Sequence, residues 1–382
     1  MAFGIICEYN PFHNGHLHQI NEIKKTSSEP IICVMSGNFT QRGEIAIVDK
    51  YARAKMALLC GADLVLELPI PFCVASAEYF ASAALSILNG LNVDKLCFGS
   101  ESGDREKIIK MAQIASSESF KSECASLSKE QSSTKSYLNL LAKKSGVKSI
   151  LSNDILGIEY TKAIISNGYN IQIHPIKREG SAYRETHLFH KELPSATAIR
   201  EAISKGKLKE ICDFMPPQTL QVLKESEFSD ISHAKNSILL TLRLIDAEKL
   251  DVAISDLGLV NRILATAQES SSFHEFEYKL QTKKYTASAI RRAIIYILLG
   301  IKQSDLKNMP QYTVLLGAND VGREYLASIR KDENAIKVIT KPSDATDNRQ
   351  FELMKKSDAL YTMCFENKKE SGFYIRKSPI II

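Results

Sequence analysis

Nine residues near the start of the chain, Glu8 to His16 (EYNPFHNGH), bring together the groups that chemistry on a phosphate requires. They end the first apolar, strand-like run and open the first helical one. A helix N-terminus presents unpaired backbone N–H groups and a partial positive charge, which together can hold a phosphate chain. His13 and His16 lie one helical turn apart and add two donors. Gly15 between them carries no side chain, so a nucleotide can approach the backbone closely, and Pro11 helps fix the turn before the helix. A histidine beside a turn is often only a surface or capping residue. The position matters more than the letters: parallel sheets bind ligands at the carboxyl ends of their strands, and this is the first such strand-to-helix turn.

A second constellation lies about 160 residues further on. Lys177, Arg178, Glu179 and Gly180 follow a later strand-like run, and Ser195 to Arg200 (SATAIR) opens a helix. Ser195 can cap that helix while the Thr197 hydroxyl and the helix amides face an anion, and Arg178 can neutralise the β and γ phosphates. Taken alone, a Ser-Ala-Thr-Ala run reads as ordinary capping. The loop Ser36 to Arg42, after the second strand, can face the second substrate or be purely structural. Gly99, at the end of the fourth strand, leaves room for a ligand to lie against the backbone.

These groups need a frame. Gly4 to Asn10, Ile31 to Gly37, Leu64 to Leu68, Lys95 to Ser100 and Ile171 to Ile176 are apolar enough for strands buried on both faces. Helical patterns separate them: Gly15 to Lys25, Asp49 to Cys60, Ser76 to Leu88, Asp104 to Ala115 and Asp154 to Ser166. The charged, serine-rich stretch from Ser116 to Ser145 is expected to be helical and exposed. Alternation of this kind predicts an α/β fold, a Rossmann-like parallel sheet with right-handed crossovers, over residues 1–204. From 205 to 308 only helical spacing remains, as in Lys235 to Asp246, Leu259 to Gln268 and Ala287 to Leu299. Alternation returns over 309–382, which predicts a small C-terminal α/β domain.

The 382 residues exceed what one core usually supports, and 44% hydrophobic with 24% charged residues is an ordinary globular composition. No signal-peptide pattern opens the chain, and apolar stretches such as Ala293 to Gly300 fall well short of the ~20 residues of a membrane span. A cytoplasmic protein without a membrane segment is expected. Cys7, Cys33, Cys60, Cys73, Cys97, Cys124, Cys212 and Cys364 form no zinc-ligand spacing and read as buried thiols. The net charge of +5 lies downstream: residues 1–100 carry 7 basic and 9 acidic side chains, residues 101–382 carry 42 and 35. Tyr278 to Ser304 holds Lys279, Lys283, Lys284, Arg291, Arg292 and Lys302 and no acid. That patch suits RNA phosphates, with Tyr285 available for stacking, or else is a solvated helix face.

The two constellations together resemble the nucleotidyltransferase superfamily with a (His/Thr)-x-Gly-His signature and a late Ser-x-Thr-x-Ile-Arg signature. Longer stretches narrow this to the bacterial tRNA(Met) cytidine acetate ligase family: Glu8 to Leu17, Val34 to Glu44 (VMSGNFTQRGE), Asp63 to Pro69, Cys97 to Ser102, Ser152 to Gly157 and Ser195 to Arg200. Lys284 to Thr286, Ile290 with Arg291, and the run from Leu315 to Lys341 match as well. The resemblance implies ATP-dependent activation of acetate to acetyl-adenylate, then transfer to N4 of the wobble cytidine of elongator tRNA(Met). It implies nucleotide contacts at Cys7, Glu8, Tyr9, Asn10, Pro11, Phe12, His13, Asn14, Gly15, His16, Leu17, His18, Gln19 and Ile20. Gly99, Asn153, Arg178, Ser195, Thr197 and Arg200 complete that set, with His13, His16 and Arg178 stabilising charge on the phosphates. Lys283, Lys284, Arg291 and Arg292 are the candidates for RNA. Magnesium is expected to arrive with ATP, and no acidic cluster marks a dedicated metal site. Nothing points to a protein partner. Two other readings remain: a small-molecule adenylyltransferase of cofactor biosynthesis, for which residues 205–382 are surplus, and an RNA-binding protein with a vestigial nucleotide fold.

Overall fold

Five apolar runs of the first half become strands of one sheet. They are β1 (Phe3–Cys7), β2 (Ile31–Ser36), β3 (Leu64–Leu68), β4 (Lys95–Ser100) and β5 (Gln172–Lys177) of the computed structural model, which describes residues 1–126, 134–178, 196–345 and 348–382. All five are parallel, in the order β5-β4-β1-β2-β3. Every residue of β1, β2 and β3 is buried, as strands covered on both faces must be. The chain runs outward from β1 to β3 and then adds β4 on the opposite side of β1. That reversal leaves a crevice at the carboxyl ends of β1 and β4.

The intervening helices are α1 (Asn14–Thr26), α2 (Lys50–Leu59), α3 (Ala77–Gly90), α4 (Arg105–Ser116), α5 (Glu118–Ala125), α6 (Thr134–Ser145) and α7 (Ser152–Asn167). Local chemistry sets their starts: Asp49 accepts the N–H groups of Tyr51 and Ala52, Asp104 that of Lys107, and Ser117 that of Phe120. The stretch 116–145 is helical where described but not simply exposed. Phe120 and Leu141 are buried, and Phe120 meets Tyr137 edge-on with ring centroids 5.5 Å apart.

Beyond the first half, α8 (Ala196–Ser204) and α9 (Pro217–Glu225) still pack on the main core through Ile199, Ala202, Val222 and Leu223. A second, smaller core begins with α10 (Lys235–Leu244) and continues through α11 (Leu257–Glu269), α12 (Phe273–Leu280) and α13 (Ala287–Leu299). Ile238, Leu242, Ile263, Phe276 and Ala293 fill it. A short helix, α14 (Gln303–Lys307), returns the chain to the main core, where Leu306 is buried.

Residues 309–382 differ from the expectation of a separate domain: their strands extend the same sheet. β6 (Tyr312–Ala318) pairs antiparallel with β3, and β7 (Lys337–Ile339) and β8 (Ile380–Ile381) pair parallel with β6. Two helices accompany them, α15 (Asp320–Ile329) and α16 (Arg349–Thr362). Alternating strand and helix patterns look the same whether they start a new sheet or complete an old one. β3, buried along its whole length, settles which, because an open edge there must be covered. No helix among the described residues is long and apolar enough to cross a membrane.

A buried charge cluster fastens this late segment to the early one. The Lys50 ammonium, at the start of α2 and 0% exposed, donates to both Glu67 oxygens at 2.9 Å and to Asp358 of α16 at 3.1 and 3.3 Å. Asn38 completes it, donating to Asp358 at 3.0 Å and accepting the Lys50 N–H at 3.0 Å. Removing the cation would leave two buried carboxylates facing each other, so Lys50→Met should lose about 3–5 kcal/mol of unfolding free energy, read by chemical denaturation.

Candidate active site

After β1 the chain turns through Glu8 to His13 into α1. Tyr9 takes φ 44, in the left-handed region that a non-glycine residue adopts only when its surroundings fix it. Its buried ring is held edge-on by Phe12 and by His16, each with centroids 4.8 Å away. His13 is the N-cap of α1: its Nδ1 accepts the Gly15 N–H at 3.1 Å, and His16 Nδ1 accepts the His13 N–H at 3.2 Å. The two rings stack with centroids 3.7 Å apart.

Because each Nδ1 is an acceptor, each neutral ring carries its proton on Nε2 and is a donor there. Burial, with Arg178 and Arg200 nearby, pulls His13 down to about 3. Burial, then His13 and Arg178, holds His16 well below the ordinary histidine value. The pair is therefore neutral at physiological pH. Gly15 also protects this arrangement, because a Cβ there would stand 2.9 Å from His13 Cε1.

A cavity of about 400 Å³ opens at the carboxyl ends of β1 and β4. Cys7, Glu8, Tyr9, Asn10, His13, Gly15, His16, His18 and Gln19 form one wall. The other sequence-selected positions of this stretch, Pro11, Phe12, Asn14, Leu17 and Ile20, are not in that wall. Phe12 and Ile20 are core residues at 0% exposure, and Asn14 donates to the Asp213 carbonyl at 2.9 Å. A turn and helix present only part of their circumference to a ligand, so a continuous run cannot all face it.

Gly99, Asn153, Arg178, Thr197 and Arg200 line the same cavity from β4, α7, the end of β5 and α8. Ser195, Glu179 and Gly180 lie outside the described residues. The Arg178 N–H donates to the Ser100 carbonyl at 2.9 Å, and its stem passes Gly99, where a Cβ would lie 3.4 Å from Arg178 Cγ. Asn153 donates its backbone and side-chain N–H groups to Glu101 at 2.7 to 3.1 Å, while Ser100 donates to Asp154. Glu101 and Asp154, which sequence reasoning passed over, thus lock β4 to the start of α7.

The loop between β2 and α2 supplies the remaining wall through Gln41, Arg42 and Glu44. Its fold depends on Arg53 of α2, which is 0% exposed and donates to the carbonyls of Glu8 at 2.7 Å, Ser36 at 3.1 Å, Val48 at 3.2 Å and Gly37. An arginine inside a helical pattern carries no sign of such a role. Gln41 N–H donates to Glu8 at 2.8 Å, and its side chain to the Ala75 carbonyl at 3.0 Å. Glu44 pairs with Arg200 of α8 at 3.2 Å and with Arg291 of α13 at 2.9 Å.

Arg291 also donates to the Arg42 carbonyl at 3.2 Å, and Arg292 to that of Gln41 at 3.5 Å. Gly43, at φ +70, lets the loop approach α13 so closely that a Cβ would sit 2.8 Å from Arg292 N. These two arginines, expected on an RNA-binding face, dock α13 on the loop. The count of charges within one stretch of sequence missed an acid 247 positions away. Lys283 and Lys284 are exposed; Lys284 pairs with Asp256 at 3.0 Å and lies 4.7 Å from the centre of the Tyr285 ring. The Tyr285 hydroxyl donates to Asp256 at 2.7 Å. Among the described residues no three His, Cys, Asp or Glu side chains form a metal-ligand set.

The sequence model of the HIGH Nucleotidyl Transferase family matches residues 1–373. A tRNA(Met) cytidine acetate ligase of Clostridium perfringens (strain SM101 / Type A) is 36% identical, over 99% of this chain and 98% of its own length. That of Caldicellulosiruptor saccharolyticus is 40% identical, over 89% of this chain and 87% of its own. The crystal structure of Thermotoga maritima TmcAL in its apo form superimposes with a TM-score of 0.88 at 29% identity, each chain covered in full. A second crystal form of that protein, with alpha-thio ATP bound, gives 0.86 at the same identity and full coverage of both chains. The chain belongs to the HIGH nucleotidyl transferase family and, within it, to the tRNA(Met) cytidine acetate ligases.

Proposed function

We propose that the protein uses ATP to join acetate to the N4 amine of the wobble cytidine of elongator tRNA(Met). One observation carries the reading: His13, His16, Arg178 and Arg200 converge on a cavity at a helix N-terminus, in a chain that aligns with tRNA(Met) cytidine acetate ligases over nearly its whole length. The Thermotoga protein's alpha-thio ATP supports ATP as the nucleotide here. Its triphosphate would lie against the N-terminus of α1, with His13 and His16 donating and Arg178, Thr197 and Arg200 closing the other side. Ser195 belongs to the same proposal.

An acetate oxygen attacks the α-phosphorus and pyrophosphate leaves, which gives acetyl-adenylate without a protein nucleophile. The two neutral histidines and the arginines stabilise charge that develops on the phosphates, a role in which one lost donor costs ~100-fold in rate. The cytidine amine then attacks the acetyl carbon and AMP leaves. Magnesium would arrive with the ATP, carried by its phosphates and water. Lys283 and Lys284 are the residues we assign to tRNA phosphates. The reading implies a cytoplasmic protein, where ATP, acetate and tRNA meet.

Incubation with ATP, labelled acetate and bulk tRNA, followed by digestion to nucleosides, should yield labelled N4-acetylcytidine; its absence overturns the reading. His16→Ala should abolish acetyl-adenylate formation while tRNA binding persists, and joint loss of both would signal misfolding. Lys283→Ala combined with Lys284→Ala should weaken tRNA binding and reduce its log–log salt slope by about 1 to 2, with acetyl-adenylate formation intact.

A further inference from the structure

Acetyl transfer to a cytidine amine needs a proton acceptor. The N4 lone pair is delocalised into the ring, so the nitrogen attacks well only as its proton is removed. The cavity's histidines at the phosphate turn do not serve, because His13 and His16 have their Nδ1 atoms engaged by backbone N–H groups and carry protons on Nε2. Burial keeps the Cys7 thiol and the Tyr9 and Tyr160 phenols protonated. Two carboxylates line the cavity among the described residues, Glu8 and Glu44. Glu44 is held between Arg200 and Arg291. Glu8 stands one residue beyond β1, with one oxygen taking the Gln41 N–H at 2.8 Å and no hydrogen bond from a described residue on the other.

Resting on the function proposed above, we propose that the Glu8 carboxylate accepts the proton of the cytidine amine during acetyl transfer. The amine lone pair forms the C–N bond to the acetyl carbon. The bond from that carbon to the phosphate oxygen breaks with its electron pair, AMP leaves, and the amine proton passes to Glu8 and on to solvent.

Position supports this. Glu8 bonds to the Gln41 loop, whose other side packs on α13, and α13 follows the exposed Lys283 and Lys284. Glu8, Gln41, Arg42 and Glu44 line the cavity together, so the Glu8 wall adjoins the loop on which α13 is seated. Arg200 acts electrostatically on both Glu8 and the N-cap His13, so the acceptor lies close to the phosphate turn. Burial raises Glu8 above the ordinary carboxylate range, against the pull of the Gln41 N–H and of Arg200, Arg42 and Arg53. Tyr160 from α7 and Cys73 after β3 also sense its charge, and neither supplies a cation. A raised carboxylate is a stronger base than an ordinary one.

His18 also borders the cavity, but two residues beyond His16 it lies about 200° around α1 and enters from another side. The test uses the full-length protein with supplied acetyl-adenylate and tRNA in single turnover. Glu8→Gln keeps an oxygen for the Gln41 N–H and removes the basicity. Transfer should fall about 100-fold more than ATP–pyrophosphate exchange does, and the wild-type rise of transfer with pH should flatten. Glu8→Asp should recover part of the rate with the pH dependence restored. Equal loss of both steps in Glu8→Gln, or transfer that survives it and fails in His18→Gln, overturns the role of Glu8 alone. Wild-type protein that transfers no acetyl from acetyl-adenylate overturns the proposed function with it.

Discussion

The geometry of this site depends on one guanidinium that never meets solvent. Arg53 reaches from α2 to the carbonyls of Glu8, Ser36, Gly37 and Val48, and so gathers the ends of β1 and β2 and the far end of the β2–α2 loop around a single charge. A buried cation without a bonded carboxylate is costly unless its donors are satisfied, and here backbone oxygens satisfy them. In return, carbonyls at the strand ends that water would otherwise hydrate are held in fixed directions. Glu8 leaves β1 in a fixed direction because its own carbonyl is pinned.

From that anchor the loop carries order outward. Gln41 is tied to Glu8, Glu44 to Arg200, and the loop's outer backbone to Arg291 and Arg292. The same few residues thus form the cavity wall on one side and the seat of α13 on the other. The two neutral histidines depend on a shorter chain of contacts, in which a tight turn at Tyr9 and the absence of a side chain at Gly15 let their rings stack.

What was legible in the sequence follows from which interactions are local. Strands buried on both faces read as largely apolar runs, so β1 to β4 and β6 announce themselves. The turn from Glu8 to His16 does so because helix capping and phosphate-binding chemistry need particular residues at particular offsets. Pairing partners carry no such mark: nothing near Tyr312 says that β6 will lie against β3 rather than begin another sheet. For the same reason a window of sequence credits Arg291 and Arg292 to a basic patch, while in three dimensions both are turned to the loop, Arg291 onto Glu44. Arg53, Lys50 and Glu67 look like surface charges until their partners, distant in the chain, surround them.

The closing of the sheet by β6 also sets an order of events during synthesis. The entire phosphate-binding signature has been made when β3 still presents an open edge, and Asp358 follows Lys50 by 308 residues. Contacts of such long range form late, because the intervening chain must be closed before they return any stability. Asn38, at the root of the Gln41 loop, takes its hydrogen bond from Lys50 and gives one to Asp358. The acceptor side of the cavity is therefore finished only when α16 docks, so a nascent chain carries the nucleotide signature well before it can carry a complete site.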